Sequence, residues 1–154
     1  MNRKIITLRD LSLIEKELGS ANGGVISVSR QKDNFAQFAT NFVYQNKNIF
    51  FYLDNQELLR TIKLDAPAKF TILKDYNVSK DHIEKKDVLF RLFSIVVTGI
   101  IREEEEQKTI KEIAQSFIEK YSGKLLYSDK DFKPKGKLLL LDSEELLAFD
   151  EIGF

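Results

Sequence analysis

Residues 41–73, NFVYQNKNIFFYLDNQELLRTIKLDAPAKFTIL, decide the predicted fold. Aromatic residues stand on both sides of the polar segment 46–48, which is typical of two antiparallel strands joined by a tight turn. Asp54 and Glu57 form a D-x-x-E capping pattern that predicts a short helix. Pro67 cannot continue a helix and separates it from the next strand. The predicted order is therefore strand, turn, strand, short helix and strand.

Apolar patterning extends this order in both directions along the chain. Strands are predicted from residue 25 to residue 28, and at residues 35–44, 49–53, 68–74 and 89–101, and a final strand or hairpin is predicted at residues 138–149. Amphipathic periodicity predicts one helix that starts near Thr7 and a second over residues 103–121. Gly99 indicates a bulge or bend in the fifth strand, and residues 142–144 indicate a bulge or turn in the sixth. Short antiparallel strands with helices at their ends predict an α+β fold containing a small barrel.

Composition narrows the class of protein. A chain of 154 residues with 43% hydrophobic and 31% charged residues is expected to form a single folded domain, residues 1–154. The 24 basic residues balance the 24 acidic ones, so no net field favours nucleic acid or an anionic membrane. The absence of cysteine excludes disulfides, thiolate metal sites and a cysteine nucleophile. With no signal-peptide pattern and no apolar run of membrane-spanning length, a cytoplasmic protein is expected.

Three segments of the chain carry a resemblance to one family. Residues 41–73, with FVY before the turn and FFY after it, resemble the FMN-binding split β-barrel of the pyridoxamine-5′-phosphate-oxidase-like superfamily. Residues 91–123 and 137–149 are similar to the family's long strand with its following acidic helix start, and to its terminal strand. The resemblance covers residues 24–150 and implies a six-stranded antiparallel Greek-key barrel with flanking helices. It also implies FMN as cofactor and a homodimer with a flavin in each of two equivalent grooves between the subunits.

The same resemblance implies where the flavin binds. The strand at residues 40–43 is expected to run along the isoalloxazine ring, and its backbone groups are expected to reach the polar edge of that ring. The end of the next strand should lie near the ring or the ribityl chain, and the following helix should meet the phosphate. The implied cofactor-binding residues are Thr40, Asn41, Phe42, Val43, Tyr52, Leu53, Arg60 and Lys63. No catalytic residue and no metal ligand is predicted.

The start of the short helix differs from the family pattern. Relatives that oxidise pyridoxamine phosphate have serine, arginine and lysine where this chain has Glu57, Leu58 and Leu59. Leucine side chains cannot donate hydrogen bonds to phosphate, and the Glu57 carboxylate repels it. A shift of one residue in the turn would place Arg60 at a basic position of the family, and an arginine fork fits phosphate geometry. Lys63 lies three residues further along the same helix face.

A flavin-dependent oxidoreductase acting on an unidentified small molecule is the function that the resemblance implies, with FMN carrying the hydride or electrons. The alternative is a non-catalytic or haem-utilisation-type member with a degenerate flavin phosphate site. His82 is the single histidine, and it does not stand near the C-terminus, where haem-degrading relatives have their axial ligand. One histidine also lacks any metal-ligand spacing. Alternating aromatic residues in the predicted strands are typical of a core or a dimer interface rather than a base-stacking platform.

Overall fold

The computed structural model of the protein describes residues 2–75, 90–122 and 135–154. The strands in these ranges are β1 (Arg3–Leu8), β2 (Gly24–Arg30), β3 (Asn34–Thr40), β4 (Val43–Gln45), β5 (Asn48–Leu53), β6 (Pro67–Asp75), β7 (Phe90–Glu103) and β8 (Lys137–Gly153). The helices are α1 (Leu11–Ser20), α2 (Gln56–Thr61) and α3 (Gln107–Tyr121). The predicted loop that contains His82 and the polar connection after α3 lie mostly outside the described residues.

All eight strands belong to one antiparallel sheet with the order β3-β2-β6-β7-β8-β5-β4, and β1 pairs with β8 outside this path. Strand β8 organises the sheet because its 17 residues pair with three strands. Strand β7 follows one of its edges along almost its whole length. The other edge is divided between β5, which pairs with residues 137–142, and β1, which pairs with residues 148–153. The predicted α+β class is confirmed.

Each of the six predicted strands is present, as β2, β3, β5, β6, β7 and β8. The strand predicted at residues 35–44 is interrupted at Asn41 and Phe42, and its last part forms the separate strand β4. The helix predicted from near Thr7 begins only at Leu11, after Asp10 accepts a hydrogen bond from the Leu13 backbone N–H at 3.3 Å. Strand β1 was not predicted because it depends on pairing with β8, a partner about 140 residues away in the chain.

Two local features agree with their sequence signals. The turn between β4 and β5 uses Asn46 and Lys47 with φ angles of 52° and 62°, the left-handed conformation that tight hairpin turns require. The bulge predicted near Gly99 is present, because Thr98 pairs with Glu145 whereas Gly99 pairs with Ser143. The extra residue therefore lies on β8, inside the segment 142–144 where a bulge or turn was predicted.

The caps of the other two helices differ from the predictions. At α2 the cap is Asn55, whose Oδ1 accepts from the Leu58 N–H at 3.1 Å, so the Asp54–Glu57 pattern does not form. Glu57 instead lies 3.5 Å from the Arg30 guanidinium. Helix α3 begins at Gln107 rather than residue 103 because β7 continues to Glu103. No helix of the described residues has the length and apolar character needed to cross a membrane.

Two apolar clusters form the core. The larger one fills the interior between the strands and α1 and includes Ile26, Phe42, Phe70, Ile95 and Leu141. The smaller one lies between α3 and the sheet and consists of Val43, Phe50, Ile113, Phe117, Tyr121, Leu138 and Leu140. Apart from Tyr121 with its hydroxyl, no described residue with a polar or charged side chain is buried in the core. The other polar side chains of the described residues therefore lie at or near the surface.

Candidate functional site

The outward face of the sheet along β2 carries the candidate site. Ile26 and Val28 of β2 are 0% and 2% exposed, so the alternate residues Val25, Ser27 and Ser29 point away from the core. We refer to the outward face at these three residues as the outer strip. Small and hydroxyl side chains dominate it, which leaves room for a ligand to approach the backbone.

A row of polar residues crosses the outer strip at its centre. Ser27 is paired with Gln37 of β3 on one side and with Lys69 of β6 on the other. Lys69 is in turn paired with Thr98 of β7. Directly paired residues of antiparallel strands share a face, so all four side chains lie on the outward side. The Gln37 amide Nε2 donates to Ser27 Oγ at 3.1 Å, which fixes one end of the row.

Two surface depressions lie along the outer strip. One has a volume of about 280 Å³ and is lined by Ser27, Val28, Ser29, Phe35, Pro67, Ala68, Lys69 and Thr98. The other has a volume of about 380 Å³ and is lined by Gly23, Gly24, Val25, Ala39, Thr40 and Asn41. The five-residue step from Gly24 to Ser29 corresponds to about 17 Å of strand. An extended ligand lying along β2 could therefore contact both depressions.

Thr40 and Asn41 lie at the glycine end of the outer strip, as residues of the second depression. Thr40 pairs with Gly24, and its hydroxyl donates to the Asn41 carbonyl at 2.9 Å. The Asn41 amide Nδ2 donates to the Asn22 carbonyl at 3.1 Å. The structure thus places these two predicted residues in the lining of the second depression. Their contact with a flavin stays a prediction.

The next two predicted residues, Phe42 and Val43, are buried, with exposed fractions of 0% and 6%, and Leu53 is buried as well. The Phe42 backbone N–H donates to the Tyr121 hydroxyl at 3.1 Å. The Phe42 carbonyl accepts from the same hydroxyl at 3.0 Å and from Lys120 Nζ at 2.9 Å. The side chains of these residues therefore support the sheet from inside, and the polar backbone groups of Phe42 already have partners within the chain.

Tyr52 lies on the α3 side of the sheet, away from the outer strip. Its ring centroid is 5.3 Å from that of Phe117 in α3. It lines a third depression, of about 420 Å³, together with Glu103–Glu105 at the end of β7 and Lys137. Lys137 Nζ lies 3.1 Å from a Glu103 carboxylate oxygen there. The eight predicted residues are therefore distributed over both sides of the sheet rather than gathered in one pocket.

Arg60 and Lys63 lie at and just beyond the end of α2. The Arg60 Nε donates to the Gln56 carbonyl at 3.4 Å, within the helix. Lys63 Nζ is 3.9 Å from Asp33 Oδ1, and the Lys63 backbone N–H donates to the Ser29 carbonyl at 2.8 Å. Lys63 is thus attached by its backbone to the far end of the outer strip. Phosphate binding by these two residues stays a prediction.

Sequence reasoning did not identify the polar row at the centre of the outer strip. The signal was present in Ser27 and Ser29, which alternate with the apolar residues Ile26 and Val28. A second signal was Lys69, the charged residue of the mostly apolar segment AKFTIL. Both could be interpreted only after the register placed Lys69 opposite Ser27. No group of three or more possible metal ligands occurs among the residues that the structure describes.

Tyr44, which lies outside both depressions of the outer strip, has a displaced pKa. The Tyr44 hydroxyl of β4 donates to Glu15 Oε2 of α1 at 3.0 Å. Burial raises the pKa of Tyr44 from 10.0 to about 12, and the hydrogen bond to Glu15 and the Glu15 charge act in the same direction. Both effects oppose formation of a second negative charge beside the carboxylate.

The displaced Tyr44 pKa predicts a loss of stability at alkaline pH. Because the folded-state pKa lies above the unfolded value, the stabilisation is complete below pH 10.0 and is lost as the pH rises to about 12. Tyr44→Phe should therefore lose less stability than the wild type across this interval. Thermal unfolding at a series of alkaline pH values measures the difference, since lysine deprotonation affects both proteins alike. Parallel curves for the two proteins would contradict the prediction.

Comparison with known proteins gives matches only at the level of structure. No protein-family model matches the sequence, and no curated protein does. The fold is similar to that of the FAD-binding protein from Mycobacterium smegmatis, with a TM-score of 0.66 and 16% identity over 96% of this chain and 100% of the other. An FAD-binding protein from Mesorhizobium loti gives a TM-score of 0.67 at 11% identity, over 95% and 97% of the two chains.

A third similar structure is a candidate pyridoxamine 5′-phosphate oxidase from Corynebacterium glutamicum, with a TM-score of 0.59 and 16% identity over 97% of this chain and 95% of the other. These matches extend over nearly the whole length of both chains in every pair, so they concern the complete arrangement of strands and helices. The chain therefore shares the split β-barrel fold of these structures.

Proposed function

We propose that the protein is a cytoplasmic, flavin-binding homodimer that holds FMN along the outer strip and serves as a flavin-dependent oxidoreductase. One observation carries the proposal. Over 95–96% of its length, this chain has the same fold as proteins named for binding FAD, including one whose whole length is covered. The flavin would supply hydride or electron transfer, and the protein would supply binding and orientation.

The residues of the outer strip fit a flavin. Small side chains at Ser27, Ser29 and Ala39 leave an open groove over the strands, and both depressions open onto it. Val25 and Phe35 offer apolar contact to a planar ring system, and Phe35 is 74% exposed. The groove thus combines apolar area with a few polar groups, as cofactor sites in proteins commonly do.

The homodimer is supported by apolar residues on the outward face of the sheet. Ile5, Val25, Phe35 and Leu73 are 52%, 36%, 74% and 68% exposed. The strand registers place all four on this one face. Exposed apolar area of this kind is characteristic of an interaction surface. A second copy of the chain, related by a two-fold axis, would cover it and enclose the outer strip.

Flavin binding is tested by thermal unfolding with FMN, FAD or riboflavin in excess. At about one hundred times its dissociation constant a ligand adds about 2.7 kcal/mol of stability, or roughly 5–10 °C in Tm for a chain of this size. The purified protein should also show flavin absorbance and sediment at twice the 17.8 kDa chain mass. ATP serves as the control for non-specific nucleotide binding. A protein whose Tm no flavin raises would contradict the proposed function, and a monomer would contradict the dimer.

A further inference from the structure

We infer that this chain binds the phosphate of its flavin on the outer strip, with Lys69 as the cationic group, rather than at the start of α2. The inference rests on the proposed flavin binding and identifies the residues that would distinguish FMN from riboflavin. Lys69 would supply the positive charge, and the hydroxyls of Ser27, Ser29 and Thr98 would supply hydrogen bonds.

The start of α2 is poorly suited to a phosphate. The helix has only six residues, and the Leu58 N–H already donates to the Asn55 side chain at 3.1 Å. Leu58 and Leu59 provide no polar side chain, and Glu57 adds a negative charge to the first turn. A short helix with an occupied donor and an acidic first turn offers little attraction to an anion.

Nearby basic residues are largely engaged with acidic or carbonyl partners. Arg30 lies 3.5 Å from Glu57 and donates from its Nε to the Thr61 hydroxyl at 3.0 Å. Lys63 is paired with Asp33 at 3.9 Å. An anion that recruited either residue would compete with the carboxylate that it already faces, which lowers the net gain in binding.

Lys69 is placed differently. It is exposed on the outward face, between Ser27 and Thr98 in the register. Among the residues that the structure describes, no carboxylate lies within ion-pair distance of its ammonium group. An ammonium group in a depression of about 280 Å³ can therefore receive an anion without first losing another partner.

The hydroxyl groups around Lys69 are suited to complete the site. Ser27 Oγ accepts a hydrogen bond from Gln37 Nε2 at 3.1 Å, so its own hydrogen can be donated to a ligand. Ser29 and Thr98 line the same depression as Lys69. Phosphate oxygens accept several hydrogen bonds at once, and those from charged donors are the strongest. One ammonium and three hydroxyls around one depression match this requirement.

The position of Lys69 also fits the length of a mononucleotide. The glycine end of the outer strip, with Thr40 and Asn41, lies about 17 Å from Ser29 along β2. A phosphate in the depression lined by Lys69 and Ser29 would leave the ring system to extend toward Val25 and Thr40. Thr40 and Asn41, which line the second depression, would then lie beside the ring, as the resemblance implies.

The experiment compares FMN with riboflavin, because the two ligands differ only in the phosphate. Dissociation constants are measured by flavin fluorescence for the wild type, Lys69→Ala and Lys69→Arg. Lys69→Ala should bind FMN about ten- to hundredfold more weakly, the range expected for loss of a charged hydrogen bond. Its affinity for riboflavin should not change, and Lys69→Arg should retain most of the preference for FMN. Lys108→Ala, which removes an exposed lysine from α3, is the matched control.

The results distinguish failure of the Lys69 phosphate site from failure of flavin binding itself. If Lys69→Ala keeps the wild-type preference for FMN while Lys63→Ala or Arg60→Ala loses it, the phosphate is held at α2 and the inference is overturned, although flavin binding stands. If the preference persists in all three variants, the inference is likewise overturned. If the wild type binds none of FMN, FAD and riboflavin, the proposed function is wrong, and so is the assignment of Lys69. Circular dichroism of each variant verifies that the fold is retained.

Discussion

Gly99→Ala is expected to lower the free energy of unfolding by about 3 kcal/mol, at the upper end of the range for overpacking. A Cβ atom at this position would lie 2.0 Å from the Asp142 carbonyl oxygen and 3.0 Å from the Ser143 Cα. Both atoms belong to the backbone of β8, so no side-chain rotation can relieve the clash. The bulge would have to open, and hydrogen bonds between β7 and β8 would be lost with it. Denaturation by urea, analysed at constant m-value, measures the change.

Gly19→Ala is the matched control for this substitution. Gly19 lies in α1, and a Cβ there would meet no atom within 4 Å. Alanine should raise the free energy of unfolding by about 0.5–1 kcal/mol, because it restricts the unfolded chain and favours the helix. Replacing glycine by alanine should therefore lower the free energy of unfolding at position 99 and raise it at position 19. Equal stabilities of Gly99→Ala and the wild type would show that β7 does not approach β8 as closely as described.

Tyr121→Phe is expected to lower the free energy of unfolding by about 1–3 kcal/mol, the cost of leaving a buried backbone group without its partner. The Tyr121 hydroxyl accepts from the Phe42 N–H at 3.1 Å and contacts the Asn22 carbonyl at 2.8 Å. Phenylalanine preserves the ring and its stacking on Phe117, whose centroid is 5.9 Å away. The decrease in stability therefore measures the contribution of the hydroxyl group alone. This hydroxyl connects α3 to the segment between β3 and β4.

Hydrogen exchange gives a direct measurement of this effect. The Phe42 amide should lose protection in Tyr121→Phe, whereas amides in the centre of β7 should change only as far as global stability does. Tyr44→Phe is the control, since it removes a hydroxyl whose partner, Glu15, can be solvated instead. Unchanged protection at Phe42 would mean that another group satisfies this amide. The result also bears on the flavin site, because Phe42 follows directly after Thr40 and Asn41 in the chain.

The parts of the fold that local patterns determine were predictable from the sequence. Strands β2, β3, β5, β6, β7 and β8 have alternating or β-branched apolar residues. The turn at Asn46 and Lys47 and the bulge at Gly99 have residue types that suit their backbone conformations. Strand β1 was missed because its residues are mostly exposed and its stability comes from pairing with β8. The cap of α2 was assigned one residue early because Asp54 and Asn55 can both act as caps.

The candidate site was less predictable because it depends on register. Resemblance gave four residues adjacent in sequence, but they do not form one strand, because β3 ends at Thr40 and β4 begins at Val43. Thr40 and Asn41 line the second depression, whereas Phe42 and Val43 enter the two core clusters. Lys69 reaches the strip because a strand that follows α2 in the chain pairs with β2. No local pattern in the sequence shows which strand lies opposite Ser27.

Strands β5 and β1 share one edge of β8, and the part covered by β1 is the part most open to pairing with another chain. Strand β1 is exposed along most of its length and, among the described strands, pairs only with β8, so it should detach at lower free-energy cost than the others. Its departure would uncover the backbone of residues 148–153, and an uncovered strand edge can template pairing with another chain. Pairing with β1 therefore protects this edge of β8. Conditions that detach β1 should promote oligomers in which chains pair through β8.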